Sequence, residues 1–293
     1  MSTAAPRVRR VIVTGAAGAL GSATVAALRA RGTTVAGLDV AAADGVIACD
    51  VCDTDSVAAA VAQARARMGG IDAVVHFAGI GLPSSAGQGP GVPDLRTLDI
   101  NLLGPWRVTA ACIEDVAANR GRLVFVASEL AYATIPFAAA YIVSKRGLAA
   151  YADAVRAEYG THVGVTTVYP GYVRTPIHEA GAAAGLALEG TVRAQRPESV
   201  TATVLRALSA GRPPRDLACS PMGRFELAAA RHLPSVVDAV IRSRTRRAVG
   251  RGRYSTAPLA AGLRGRLGHP DAVPLAPIVV EQPAPIALEE TAV

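Results

Sequence analysis

Short apolar runs alternate with helical periodicity over the first two thirds of the chain. VRRVIVT (8–14) ends at a glycine-punctuated turn, behind which apolar positions recur at helical spacing through Arg31 and stop at Gly32. TTVAGLD (33–39) and DGVIACD (44–50) predict two more strands, followed by a capped helix over 53–70 that ends in paired glycines. IDAVVHFAG (71–79) predicts a fourth strand, a helix covers 94–118, and RLVFVAS (122–128) is the fifth strand. A long helix is predicted from Ala138 to Tyr159, with VGVTTVYPG (163–171) as the sixth strand. Near-continuous apolar strands separated by helices imply a parallel sheet covered on both faces, an α/β doubly wound fold.

Beyond Pro176 the residues become small, and 176–196 has the character of a mobile lid. A helix near 198–210 and two helical patterns between 223 and 247 make a helical C-terminal extension. Residues 1–250 are thus expected as one domain. Residues 251–293, rich in Pro and Ala, are expected as a tail, unstructured from about 255.

With 293 residues, 51% of them hydrophobic, the chain has ample material for a core, and the 4% aromatic content suits helix-on-sheet packing. Cys49, Cys52, Cys112 and Cys219 have irregular spacing, Cys49 and Cys52 lack a second ligand pair for a metal, and no signal peptide is evident. A cytoplasmic protein without metal is expected, and no apolar run is long enough to span a membrane. The net charge of +7 is concentrated in Arg242, Arg244, Arg246, Arg247, Arg251 and Arg253. That segment suggests docking on nucleic acid or an anionic membrane, against the plainer reading of a solvated basic face.

Gly15, Gly18 and Gly21 lie where the first strand enters the first helix, a context that lets backbone approach a pyrophosphate. Asp39 ends the second strand, placed to accept hydrogen bonds from both ribose hydroxyls and to repel a 2′-phosphate. This favours NAD over NADP. Asp50 either meets the adenine edge or caps the next helix. Lys145 is the single lysine among 30 basic residues. It stands one helical turn after Tyr141, and Ser128 closes the fifth strand, where ligands gather in such sheets.

TGAAGALG, DAVVHFAG, LDINLLG with Asn101, Ser128, YIVSK and YPGYVRT resemble, in order and spacing, the short-chain dehydrogenase/reductase family over about residues 8–250. The resemblance implies a Rossmann-like domain, an NAD-dependent alcohol dehydrogenase or ketone reductase, and a homo-dimer or homo-tetramer. It implies that Ser128 holds the substrate oxygen, Tyr141 transfers the proton, Lys145 lowers the phenol and binds ribose, and Asn101 carries a water. The cofactor set it implies is Gly15, Ala17, Gly18, Ala19, Leu20, Gly21, Asp39, Asp50, Val51, Ala78, Gly79, Tyr141, Lys145, Pro170, Gly171, Val173 and Thr175. Ala19, where classical members carry Gly, and His76 with Phe77, where they carry Asn, resemble the extended branch. His76 itself reads as structural. An epimerase or isomerase using NAD is therefore the alternative enzyme, and a dinucleotide-binding protein docking through its basic helix the alternative outside catalysis. The apolar lid suggests a steroid, terpenoid or lipid-like secondary alcohol.

Overall fold

Apolar side chains on successive residues of a strand point to opposite faces, so a run such as Val11-Ile12-Val13 must be covered on both sides. The computed structural model, which describes residues 8–41, 43–188 and 194–269, shows that covering. Its strands are β1 (Arg10–Thr14), β2 (Thr34–Asp39), β3 (Val46–Ala48), β4 (Ala73–His76), β5 (Arg122–Val126), β6 (Gly164–Tyr169) and β7 (Asp216–Ala218). They form one sheet in the order β3-β2-β1-β4-β5-β6-β7, every neighbouring pair parallel. Ile12, Val74, Leu123 and Phe125 face a core completed by α2 (Thr54–Met68), α4 (Gly104–Ala118) and α5 (Ala139–Tyr159). Val11, Val13, Val75 and Val124 face the opposite core, under α1 (Ala19–Arg29) and α7 (Pro197–Ser209).

The chain leaves β1 toward β2 and β3, then returns to pair β4 with the other edge of β1. Connections from β1 and β4 therefore diverge at the C-terminal ends of these strands and leave a crevice. α2 is fixed at both ends: the Asp53 carboxylate accepts from the Asp55 and Ser56 amides, and Gly69 closes it in a left-handed conformation, φ 71°. Asp53, not Asp50, is the cap. α3 (Val92–Leu98) runs into α4 through a π-helical turn, Asp99–Leu103, which carries Asn101.

α6 (Glu179–Ala183) lies in the expected lid, of which 189–193 fall outside the described residues. α8 (Pro221–His232) and α9 (Pro234–Gly250) form the helical extension. No helix among the described residues is long and apolar enough to cross a membrane. The expected tail requires correction: 258–260 form a turn of 3₁₀ helix and α10 (Ala261–Arg266) follows. This segment is ordered because Ala257 and Ala260 bury against Leu186 of the lid segment, with Phe137 and Tyr254 alongside. The part of the tail from 270 onward lies outside the described residues.

At the opposite end of the sheet Asp72 ties the start of β4 to that of β1. Its carboxylate accepts from the Arg9 and Arg10 amides, each at 2.9 Å, and from Arg10 Nε and Nη2 at 3.1 and 2.5 Å. Burial works to raise the Asp72 carboxyl, but these hydrogen bonds outweigh it and hold its pKa below the ordinary value. The stabilisation is therefore complete above the pKa of the unfolded chain and is lost as pH falls through the folded one. Asp72→Ala should lower stability by about 2–4 kcal/mol at neutral pH. Urea unfolding of both proteins should show the gap narrowing below about pH 4.

Candidate active site

The site begins where backbone meets backbone. Gly15 follows β1 with φ 68°, and a Cβ there would lie 2.7 Å from the Ala78 nitrogen just beyond β4. A Cβ on Gly21 would lie 2.0 Å from the Gly15 carbonyl oxygen, so α1 starts directly on the turn. Gly18 is its N-cap, without a capping side chain, and no acidic residue occupies the first turn. The amides of Ala19, Leu20 and Gly21 thus stand in the positions where a helix lacks internal acceptors. Such an end attracts an anion. Asp39 reaches this turn from β2, its carboxylate accepting from the Ala17 amide at 2.9 Å and from the Ala41 amide at 3.0 Å. A cradle that only glycine fits, free helix amides and a carboxylate beside them fit the pyrophosphate and ribose of a dinucleotide.

Asp50, exposed at the end of β3, accepts from the Cys52 amide at 2.9 Å and so shapes its own turn. Val51 is buried, and its carbonyl accepts from Arg107 Nη1 at 3.2 Å. Beyond β4, Ala78 donates to Thr14 Oγ1 at 3.3 Å. A Cβ on Gly79 would sit 3.1 Å from Asn101 Oδ1 and 3.4 Å from Lys145 Nζ, so the loop passes between these side chains.

Ser128 stands two residues beyond β5 and caps a 3₁₀ turn, its Oγ accepting from the Leu130 amide at 3.1 Å. Tyr141 lies in the first turn of α5; burial raises its phenol, and the neighbouring Ser128 hydroxyl only partly offsets this. Lys145, one turn later, is 5% exposed and donates from Nζ to the Val126 carbonyl at 3.0 Å. Its Nζ lies 5.7 Å from the Tyr141 ring centre. Burial pushes the ammonium down to about 8. In this structure desolvation of the phenol prevails.

Asn101 is buried and tied to protein: Oδ1 accepts from the Ile80 amide at 2.8 Å, and Nδ2 donates to the Ile80 carbonyl at 2.9 Å and Ser144 Oγ at 3.1 Å. Its side chain fastens the loop after β4 to α5. His76 is structural as expected. It stacks on Phe125 with 4.8 Å between ring centres, pairs with Thr109 at 3.2 Å, and burial pushes it down to about 3.

The loop after β6 closes the far side. The Pro170 carbonyl accepts from the Glu129 amide, the Gly171 amide donates to Gln195 Oε1 at 3.0 Å, and Val173 pairs with Gln195 through an isolated bridge. Thr175 precedes the 3₁₀ turn Pro176–His178. Glu129 and Gln195 carry no signal in the sequence, yet Gln195 Nε2 donates to Glu129 Oε1 and Ser220 Oγ, each at 3.2 Å. A Cβ on Gly171 or Gly223 would collide with the Glu129 carboxylate, at 2.6 and 2.0 Å. Burial, reinforced by Glu226, pushes Glu129 up to about 7 against the Gln195 hydrogen bond.

Residues 9–184 match the family profile described as short chain dehydrogenase. Dehydrogenase/reductase SDR family member 7B of Xenopus tropicalis is 31% identical over 166 residues, 54% of this chain and 54% of that protein. Oxidoreductase UcpA of Escherichia coli K12 is 32% identical over 187 residues, 62% of this chain and 66% of its own length. The chain thus spans about half the length of the amphibian relative. A short chain dehydrogenase from Burkholderia cenocepacia J2315, solved in complex with NADP, superimposes with a TM-score of 0.67 at 22% identity, covering 79% of this chain and 96% of that one. With the profile covering more than half of its residues, and the glycine turn, Ser128, Tyr141 and Lys145 placed along one crevice, the chain belongs to the short-chain dehydrogenase family.

Proposed function

We propose that the protein is an NAD-dependent oxidoreductase acting on a secondary alcohol or ketone of apolar character. The observation that carries this reading is the buried Lys145 ammonium one helical turn after Tyr141, 5.7 Å from its ring centre, with Ser128 beyond the end of β5 beside the phenol. Nicotinamide, when bound, accepts or donates the hydride. Ser128 Oγ orients the substrate oxygen, and the Tyr141 hydroxyl gives that oxygen a proton in reduction or takes it in oxidation. Tyr141 holds its proton in the resting site, because burial has raised its pKa. Removing that proton requires positive charge nearby, and Lys145 is the cation the site supplies.

Lysine suits this place because its ammonium is compact. Nζ sits between the Val126 carbonyl and the loop at Gly79, where a planar guanidinium needs more room. Ile177 of the lid segment lies over Gly81, beside the Tyr141 ring, and supports an apolar substrate. The choice of NAD rests on Asp39. The NADP-bound relative is 22% identical and speaks for the fold alone.

Lys145→Arg keeps the charge but should lower kcat/KM by roughly a hundredfold or more, about 2.7 kcal/mol of transition-state stabilisation. Tyr141→Phe should lose roughly 10²–10⁴ in kcat with NAD affinity nearly unchanged. Near-normal turnover in either variant, with the melting temperature as control, would sink this assignment. Asp39→Asn keeps an acceptor for the Ala17 amide while removing the charge. The ratio of kcat/KM for NAD over NADP should then fall about tenfold, the worth of roughly 1.4 kcal/mol. A wild-type preference for NADP would overturn the reading of Asp39.

A further inference from the structure

Residues 233–253 read LPSVVDAVIRSRTRRAVGRGR, and their helical spacing sorts them into two unlike faces. Val237, Ile241, Thr245, Ala248 and Val249 turn toward the body of the protein and are half-buried or buried. Leu233, Val236, Val240, Arg244, Arg247 and Arg251 follow one another at steps of three or four, so they lie on one stripe along α9. All six are exposed, including Leu233 at 56% and Val236 at 57%. The stripe is apolar in its first half and cationic in its second. α8, packed beside α9, adds exposed Met222 and Phe225, the latter 70% accessible.

The arginines of this stripe are clustered as well as exposed. Some guanidinium groups of the sheet domain meet carboxylates, as in Arg10–Asp72, Arg65–Asp115, Arg107–Asp99 and Arg231–Asp216. Among the described residues, the guanidinium groups of Arg242, Arg244, Arg246, Arg247 and Arg251 make no ion pair or hydrogen bond. Asp238 is the one acidic residue between 233 and 253. Large exposed apolar side chains in line with unpaired cations match a surface that is anionic outside and apolar beneath. A second copy packed antiparallel on the same stripe would set Arg244, Arg247 and Arg251 against Leu233, Val236 and Val240 and satisfy neither. A nucleic acid would satisfy the cations but offer nothing to Leu233, Val236 and Val240.

We propose that the α8–α9 face docks on an anionic lipid surface, with Leu233, Val236 and Val240 entering the headgroup boundary and Arg244, Arg247 and Arg251 meeting lipid phosphates. The docking helix leads directly to the segment that covers the lid. Arg253 donates to the Ala187 carbonyl, Tyr254 meets Phe137 edge to face at 5.6 Å, and Ala257 and Ala260 bury with Leu186. An apolar substrate leaving the bilayer would therefore reach the site beside its cover. This last connection rests on the proposed substrate class, whereas the docking does not.

The test is sedimentation of the full chain with vesicles of phosphatidylcholine alone or with a quarter phosphatidylserine. Binding should be about tenfold or more stronger to the anionic vesicles and fall several-fold at high salt. Arg244→Gln/Arg247→Gln/Arg251→Gln and Val236→Ser/Val240→Ser should each reduce it about tenfold, with melting temperatures near wild type because the side chains are exposed. Equal binding to neutral vesicles, or full retention by the arginine variant, overturns the proposal. So does tighter binding to a DNA duplex that ignores the valine changes, or a dimer in light scattering that the valine changes dissolve. Turnover of alcohols and ketones is measured separately, so failure of docking and failure of the catalytic reading are told apart.

Discussion

The candidate site depends on the contact among three pieces of backbone: the turn after β1, the strand end after β4 and the first residues of α1. Gly15 has room only for hydrogen beside Ala78, and Gly21 only for hydrogen beside the Gly15 carbonyl. These approaches bring the N-terminal end of α1 down onto the crevice that the parallel topology opens between β1 and β4. Asp39 then reaches the same turn from the next strand through the Ala17 amide. A side chain at either glycine would push the helix end away and open the distance between its free amides and the neighbouring carboxylate.

Across the crevice, the reacting groups are held by burial. Lys145 loses much of its water and gains the Val126 carbonyl, which leaves an ammonium easier to deprotonate than a surface lysine. Asn101 supports it indirectly. By binding both polar groups of Ile80, it fixes the loop whose Gly79 passes next to Nζ. The π-helical turn presents Asn101 inward at the join of α3 and α4, a local irregularity of the kind that gathers at functional sites. Glu129, next to Ser128 in sequence, links the serine's turn to Gln195 and, through it, to Gly171. The floor of the site and the return of the lid segment are therefore mechanically joined.

The chain beyond β6 adds layers to this frame. Arg231 of α8 binds Asp216 and the hydroxyls of Tyr132 and Tyr169, which anchors the helical extension to β7 and to the loop after β5. α9 is anchored along one side only, and the ordered segment after it returns to the lid. Five arginines of α9 and its C-cap have no ion pair among the described residues, and Asp238 is the one acidic residue between 233 and 253.

The six apolar strands and the helices between them were legible from the sequence because each buried run on both faces leaves a continuous hydrophobic signature, as in VVH or LVFV. The glycine turn, Asp39, Ser128, Tyr141 and Lys145 were legible too, since their spacing relative to strand ends and one helical turn is local. β7 was not: Asp-Leu-Ala behind Pro213 and Pro214 has no periodicity, and only pairing with β6 makes it a strand. Residues 251–269 carry little propensity and become ordered because Leu186 and Phe137, distant in sequence, offer a surface to bury against. Asn101 was identified, but its partners depended on where Ile80 and Ser144 met it. Glu129 and Gln195 were invisible because a polar residue acquires a perturbed charge only from the groups packed around it. The sequence by itself determined the first six strands, the helices between them and which side chains end at the crevice, because periodicity and spacing act within a few residues. Tertiary structure alone decided hydrogen-bond partners, burial and charge state, because desolvation and directional bonding are set by atoms far apart along the chain.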